Sequence, residues 1–260
     1  MPAGPSGHVL LVAVKVTASL NLFASGSFQA VKGDNICISQ SAVYSCNKQL
    51  TDTLYVPEPA FSLGASTENE RVLEFAAMVG FLCVHGVVDY THVTVKAPED
   101  ELAAFINRKG YHTINAQLMC DHCRRIMQVS ATFAGRCHNA FIVQPSTFPP
   151  LFHPSRNVNE WLLPWLMTRL HNSTTPEPLR YNQCLGTTST ILEHTAALLI
   201  QRFRCMDGSG GSLQYAPHKA CRIIVMCCML QYIERIGWAE QQEESSSDAE
   251  ELDEGAEEGG

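Results

Sequence analysis

Residues 86–121, GVVDYTHVTVKAPEDELAAFINRKGYHTINAQLMCD, decide how the rest of the chain is read. Two runs within it, Val87–Val95 and Thr113–Met119, alternate apolar and polar residues with the period of two that a half-buried strand needs. A short helical or looped insert joins them, so they predict neighbouring β-strands. Asp89 is the one acid inside the first run, and Thr91 and His92 follow it closely. A carboxylate within a strand is costly to bury unless a partner or a metal ion satisfies it. Asp89 is therefore the first candidate functional residue; a strand acid satisfied by Thr91 or His92 is the plainer alternative.

The pattern extends in both directions. After Cys120, an Asp-His-Cys-Arg-Arg turn leads to a third strand-like run, Ile126–Phe133, which predicts an antiparallel meander. Upstream, residues 9–23 and Ser39–Leu54 read as helices, the second placing Ala42, Val43, Cys46 and Leu50 on one face. That pair is compatible with a helix-turn-helix, although an ordinary helical hairpin packed on the core is the plainer reading. Residues 57–69 have linker composition, and Glu70–Val84 predicts a helix running into the Asp89 strand. Downstream, Gly135–Asn139 opens a short helix, prolines break up residues 144–159, and Thr174–Arg180 reads as a loop. Two helices follow, Thr190–Arg204 and Pro217–Ile236, the latter with Pro in its first turn and Gly237 as a C-cap. The predicted organisation is a helical segment over residues 1–69, an α/β domain over 70–239 and a tail over 240–260. Strands followed by helices, with an acid in the first strand, suit a ribonuclease-H-like α/β domain.

The charge is unevenly placed. Of 26 acids against 18 basic residues, ten lie in residues 240–260, which hold no Lys or Arg. The body is left near +2, and the tail is expected to be disordered. A slightly basic body permits nucleic-acid binding without demonstrating it. The apolar start has neither a basic leader nor a clear cleavage site, and no run reaches the 18 or so apolar residues of a membrane span. No membrane partner is expected. The eleven cysteines are scattered, several inside predicted elements, which fits reduced thiols of the cytosol or nucleus.

Phosphodiester hydrolysis in such a domain needs two or three clustered carboxylates holding two divalent cations about 4 Å apart. Asp89 is a suitable first ligand, and Glu193, on a helix that can cross the sheet, is a candidate second. Thr190-x-x-Glu193 also matches a capping box, which would give Glu193 a purely structural role. Asp121 reads as a turn residue. Cys120, His122 and Cys123 with Cys137-His138 invite a zinc reading, although the spacing fits no standard finger. Arg108, Lys109, Arg124 and Arg125, at strand ends, could hold phosphates without reading sequence; solvated loop charge is the alternative. P-loop, GxSxG and HExxH patterns are absent.

The blocks VVDYTHVTVKAP, INRKGYHTINAQLMCD, the Gly135–Asn139 turn, PWLMTRL, LRYN, ILEHTAALLIQRFRCMDGSGGSLQY and CCMLQYI follow one another in order. Together they resemble the Harbinger transposase-derived nucleases of the PIF/Harbinger DDE superfamily. SGSFQAVKGDNICISQSAV resembles the helical segment before that family's catalytic domain. The resemblance implies a DDE nuclease domain dependent on Mg²⁺ or Mn²⁺, a DNA substrate, a Myb-like nuclear partner, and a location in nucleus and cytoplasm. It matches Asp89 to the first acid and Glu193 to the last. The middle acid is missing: the family's Gly-Ser-x-x-Asp turn falls on Gly135–Asn139 and puts Asn139 in its place. The family's other candidate, a Gly-Asp pair, falls on Arg156-Asn157 or is deleted. Tyr90 stands where a small residue is usual. Loss of groups that merely hydrogen-bond a metal's ligands costs roughly 10–100-fold, so with a ligand itself missing the cation is expected to be weakly held and DNA cleavage weak or lost. Asp121 or Glu160 as a substitute acid would restore an active nuclease. A silent DNA- or protein-binding adaptor, or a decaying copy, are the other readings.

Overall fold

The computed structural model describes residues 10–26, 37–55, 67–142, 166–170, 175–208 and 213–257, with the backbone alone at residues 68, 140, 141 and 238–257. In chain order the elements are α1 (Val12–Ser25), α2 (Gln40–Leu54), α3 (Glu68–Val79), β1 (Val87–Thr94), α4 (Leu102–Phe105), β2 (Thr113–Cys120), β3 (Ile126–Ala134), α5 (Asn139–Ile142), α6 (Pro176–Arg202), a 3₁₀ turn (Arg204–Met206) and α7 (Pro217–Glu257).

The three strands form one antiparallel sheet in the order β1-β2-β3. The β1–β2 register is unbroken, from Val87 opposite Cys120 to Thr94 opposite Thr113. Side chains alternate across a strand, so Val87, Asp89, Thr91 and Val93 share one face with Cys120, Leu118, Ala116 and Ile114. That face is largely apolar on β2 and packs toward α6, where the Thr195 hydroxyl lies 3.8 Å from the Cys120 sulfur. The opposite face carries Tyr90, His92, Asn115, Gln117 and Thr113. Asn115 and Gln117 are buried there despite their polarity, because β2 is the central strand and is covered on both sides. Helices flanking an antiparallel meander form a mixed α/β domain that fits the ribonuclease-H type.

Several sequence expectations shift. α3 starts with a capping box: the Thr67 N–H donates to Glu70 Oε2 at 2.6 Å, and the Glu70 N–H donates to Thr67 Oγ1 at 3.3 Å. It ends at left-handed Gly80, short of the predicted Val84. α6 begins at Pro176, where a loop was predicted, fourteen residues ahead of the expected Thr190 start. Pro176 and Pro178 fall in the first turn, where backbone N–H groups have no intrahelical partner to lose. α7 runs through Gly237 to Glu257, so Gly237 is no C-cap and the tail backbone is helical rather than disordered. One Gly costs a helix roughly 1 kcal/mol relative to Ala, too little to stop it ahead of Ala239, Glu240, Gln241 and Gln242, all good helix formers.

The helix-turn-helix alternative turns on the stretch between α1 and α2, and residues 27–36 of it lie outside the described residues. The described helices of the 1–69 segment pack into the main core. Leu22, Phe23 and Val43 from its helices belong to the same buried cluster as Leu118, Val129, Leu192 and Ile224. Of the proline-broken stretch 144–159, nothing falls within the described residues.

Candidate active site

Among the described residues β1 is the outer strand of the sheet, bonded at its far end to Leu213, and Asp89 is its third residue, with the side chain exposed. The carboxylate is satisfied by its own neighbour, since the Tyr90 N–H donates to Asp89 Oδ1 at 2.8 Å. Neither Thr91 nor His92 takes that part; His92 Nδ1 pairs instead with Thr113 Oγ1 at 3.0 Å on the other face. Partial burial, and then the charge of Glu193, push the Asp89 pKa above the ordinary carboxylate range, while the Tyr90 N–H pulls the other way. The two acids therefore lie within each other's field. Burial and the Asp89 charge together raise the Tyr90 phenol as well.

Glu193 projects, exposed, from the interior of α6. Its capping-box alternative is excluded, because Thr190 is deep inside the helix and its hydroxyl donates to the Thr187 carbonyl at 2.7 Å. The neighbours Ile191, Leu192 and Thr195 are buried and fix the helix against the sheet, with Glu193 left exposed and its charge felt at Asp89.

Asp121 does not join this pair. It closes the β2–β3 turn, buried, with Oδ1 accepting the Arg125 N–H at 2.9 Å and Oδ2 meeting Arg125 Nε at 2.6 Å. Both oxygens are engaged, and Arg125 is equally committed. Arg124, left-handed at φ 62°, is exposed at the same turn. Arg108 and Lys109 lie at the other end of β2, so the four basic residues do not form one patch. An eight-residue strand at about 3.3 Å per residue separates the two groups by roughly 23 Å.

Asn139 is also held away from Asp89. Asn115 donates one amide N–H to Asn139 Oδ1 at 3.1 Å and another to the Cys137 carbonyl at 3.2 Å. Asn115 lies opposite His92 on the face that Asp89 does not share. His92 is three residues from Asp89, about 10 Å along the strand. Asn157 and Glu160 lie outside the described residues. The zinc reading separates likewise: Cys120 and Cys123 flank the Asp121 turn, whereas Cys137-His138 belong to the turn beyond β3. Cys120 is buried and its thiol is pushed up to about 12 by that burial. Among the described residues no group of three or more His, Cys, Asp or Glu is placed to hold a metal ion.

Sequence reasoning missed the contacts that hold the 166–170 segment. Asn182 accepts the Leu170 N–H through Oδ1 and donates from Nδ2 to the Leu170 carbonyl, both at 2.9 Å. The Tyr181 hydroxyl donates to the Thr168 carbonyl at 3.1 Å. These bonds join LMTRL to LRYN and tie the 166–170 segment to α6. An Asn adjacent to Tyr near a helix start was the available signal. For Asp121, the i,i+4 spacing to Arg125 across a turn was another.

Residues 88–231, more than half of the chain, match the family described as DDE superfamily endonuclease. The chain belongs to this family. Three relatives, each named "Putative nuclease HARBI1", are 37% identical over 230 residues (Homo sapiens), 36% over 230 (Bos taurus) and 34% over 232 (Xenopus laevis). The matches cover 84% of this chain and 66% of each relative, just under two thirds of their length. The chain is thus a divergent Harbinger-derived member of the DDE family. No solved structure matches it.

Proposed function

We propose that this chain is a DDE nuclease by descent that holds a divalent cation weakly between Asp89 and Glu193 and cleaves DNA slowly or not at all. The observation that carries this is the mutual field of those two acids, joined by no third carboxylate among the described residues. Two anionic oxygen groups without a neighbouring Lys or Arg in that field suit one hard cation. They do not suit the paired cations of full phosphodiester catalysis, since Asp121 is neutralised by Arg125. When bound, such a cation supplies Lewis-acid activation of water and of the scissile phosphate. Asp89 contributes an oxygen oriented by the Tyr90 N–H, and Glu193 a charge carried on a packed helix.

Plasmid nicking in Mn²⁺, with Asp89→Ala beside it, tests the reading. Slow nicking abolished by the variant, or none in either protein, agrees with it; fast nicking that depends on Asp89 would show that a full acid set exists. Asn139→Asp is expected not to rescue activity, because position 139 faces away from Asp89. Asn157→Asp, at the alternative middle-acid position, is the rescue to try.

The same shortage of acids favours a second reading, a silent adaptor that engages DNA or a Myb-like nuclear protein and moves between nucleus and cytoplasm. Co-precipitation with such a protein, against residues 240–260 alone as control, tests it; equal recovery on the control would remove it.

A further inference from the structure

On α2, Tyr44, Asn47, Lys48 and Thr51 recur at the spacing of one helical face, beside the stripe that buries Val43 and Cys46. That face meets the first two turns of α7, where Lys219, Arg222 and Ile223 complete a cavity of about 80 Å³ with largely apolar walls. Pockets for whole small molecules measure roughly 300–1,000 Å³, so this one admits a single aliphatic side chain. Asn47, 5% exposed, lines it, and among the described residues neither its Oδ1 nor its Nδ2 has a hydrogen-bond partner. The Arg222 Nε–H is likewise buried and unpaired. Leaving buried donors unmade is costly, and an occupant that brings oxygen acceptors removes that cost.

The rim is cationic and held in place. Lys219 Nζ donates to the Tyr44 hydroxyl at 2.7 Å and lies 5.2 Å from the centre of that ring. Arg222 reaches Asp52 at 2.8 Å and lies 4.7 Å over the Tyr55 ring. Asp52 is the one acid among the described lining residues, against Lys48, Lys219 and Arg222, so the mouth keeps an excess of positive charge. The occupant that fits is a lone aliphatic side chain flanked by carboxylates. This chain carries such a sequence in Glu250-Glu251-Leu252-Asp253-Glu254, where Leu252 is the one large apolar residue of residues 240–260. The backbone there is helical, and Asp248, four residues earlier, is a neighbour of Leu252 along a helix.

We propose that Leu252 of a second copy of this chain fills the cavity, with the acids around it meeting Lys48, Lys219, Arg222 and the Asn47 amide. The tail cannot serve its own chain. Arg222 and Leu252 belong to one helix, and thirty residues at about 1.5 Å each set them about 45 Å apart. Two copies lying side by side in opposite directions each offer a tail to the other's cavity, which closes a two-fold dimer rather than an open chain of copies. Carboxylate contacts to arginine and lysine are charge-assisted, and at the surface salt screens them. The contact uses neither Asp89 nor Glu193, so it stands apart from the nuclease reading.

Sedimentation equilibrium of the full chain, in reductant and across a concentration series, reads the association. Wild type is expected to form a reversible dimer that weakens as salt rises. Leu252→Ala leaves every charge in place and is expected to weaken the dimer on the order of 100-fold, about tenfold at each of the two equivalent contacts. Lys48→Glu, at an exposed position of the rim, is expected to weaken it too, with an unchanged thermal melt. A labelled peptide of residues 246–257 is the second arm. It should bind wild type, dissociate the dimer in excess and fail to bind Lys48→Glu, while a scrambled peptide of the same composition does neither of the first two. A wild type that stays monomeric, a dimer indifferent to Leu252→Ala, or equal binding of the scrambled peptide would each overturn the proposal. A dimer lost in Leu252→Ala but intact in Lys48→Glu would seat Leu252 elsewhere and overturn the cavity assignment.

Discussion

Asp121→Asn separates a structural acid from a catalytic one. Asp121 has 1% side-chain exposure and Arg125 12%, with a 2.6 Å contact between them. Removing one partner of a buried ion pair costs about 3–5 kcal/mol, because the other charge is left desolvated and unpaired. Arg125 keeps a little solvent, so the lower end, about 3 kcal/mol, is expected. At roughly 2–4 °C per kcal/mol for a chain of this size, the melting temperature should fall by about 6–12 °C, read by circular dichroism. The double variant Asp121→Asn/Arg125→Gln should recover much of that loss, since neither charge is then stranded. Mn²⁺ affinity should not change in the single variant. An unchanged melt with lost Mn²⁺ binding would refute the reasoning and make Asp121 a cation ligand.

Three further outcomes follow from the same geometry. Thr190→Ala should leave stability unchanged or raise it by a few tenths of a kcal/mol, as Ala is the better helix former inside α6; a loss of about 1 kcal/mol in chemical denaturation would restore the capping role. Gly135→Ala should destabilise by about 1–3 kcal/mol, because its Cβ meets the Thr113 hydroxyl and the Phe105 carbonyl; an unshifted denaturation midpoint would contradict this packing. Asp89 has a raised pKa in the folded chain, so its contribution to stability is full below the unfolded carboxylate pKa and lost as pH rises through the folded value. Mn²⁺ needs the ionised form, so affinity should climb with pH through that raised value, checked by titration calorimetry from acid to neutral pH. Asp89→Asn should flatten the climb, and a climb that survives it would point to another ligand.

The strands were legible because the runs Val87–Val95 and Thr113–Met119 alternate and the Asp-His-Cys-Arg-Arg turn separates the second from Ile126–Phe133. Asp89 was legible because a lone acid stands out in such a run. The start of α6 was not: Pro176 and Pro178 read as breakers, although in a first turn they break nothing. Asn139 illustrates a different limit. The sequence motif puts it where an acid is usual, but which face it takes depends on Asn115, a buried amide on another strand.

The most direct measurement is the stoichiometry of Mn²⁺ binding by calorimetry or paramagnetic resonance, on wild type, Asp89→Ala and Glu193→Ala. The account expects about one weakly bound ion per chain, lost in either variant. Two tightly bound ions per chain, or binding that survives both substitutions, would contradict it.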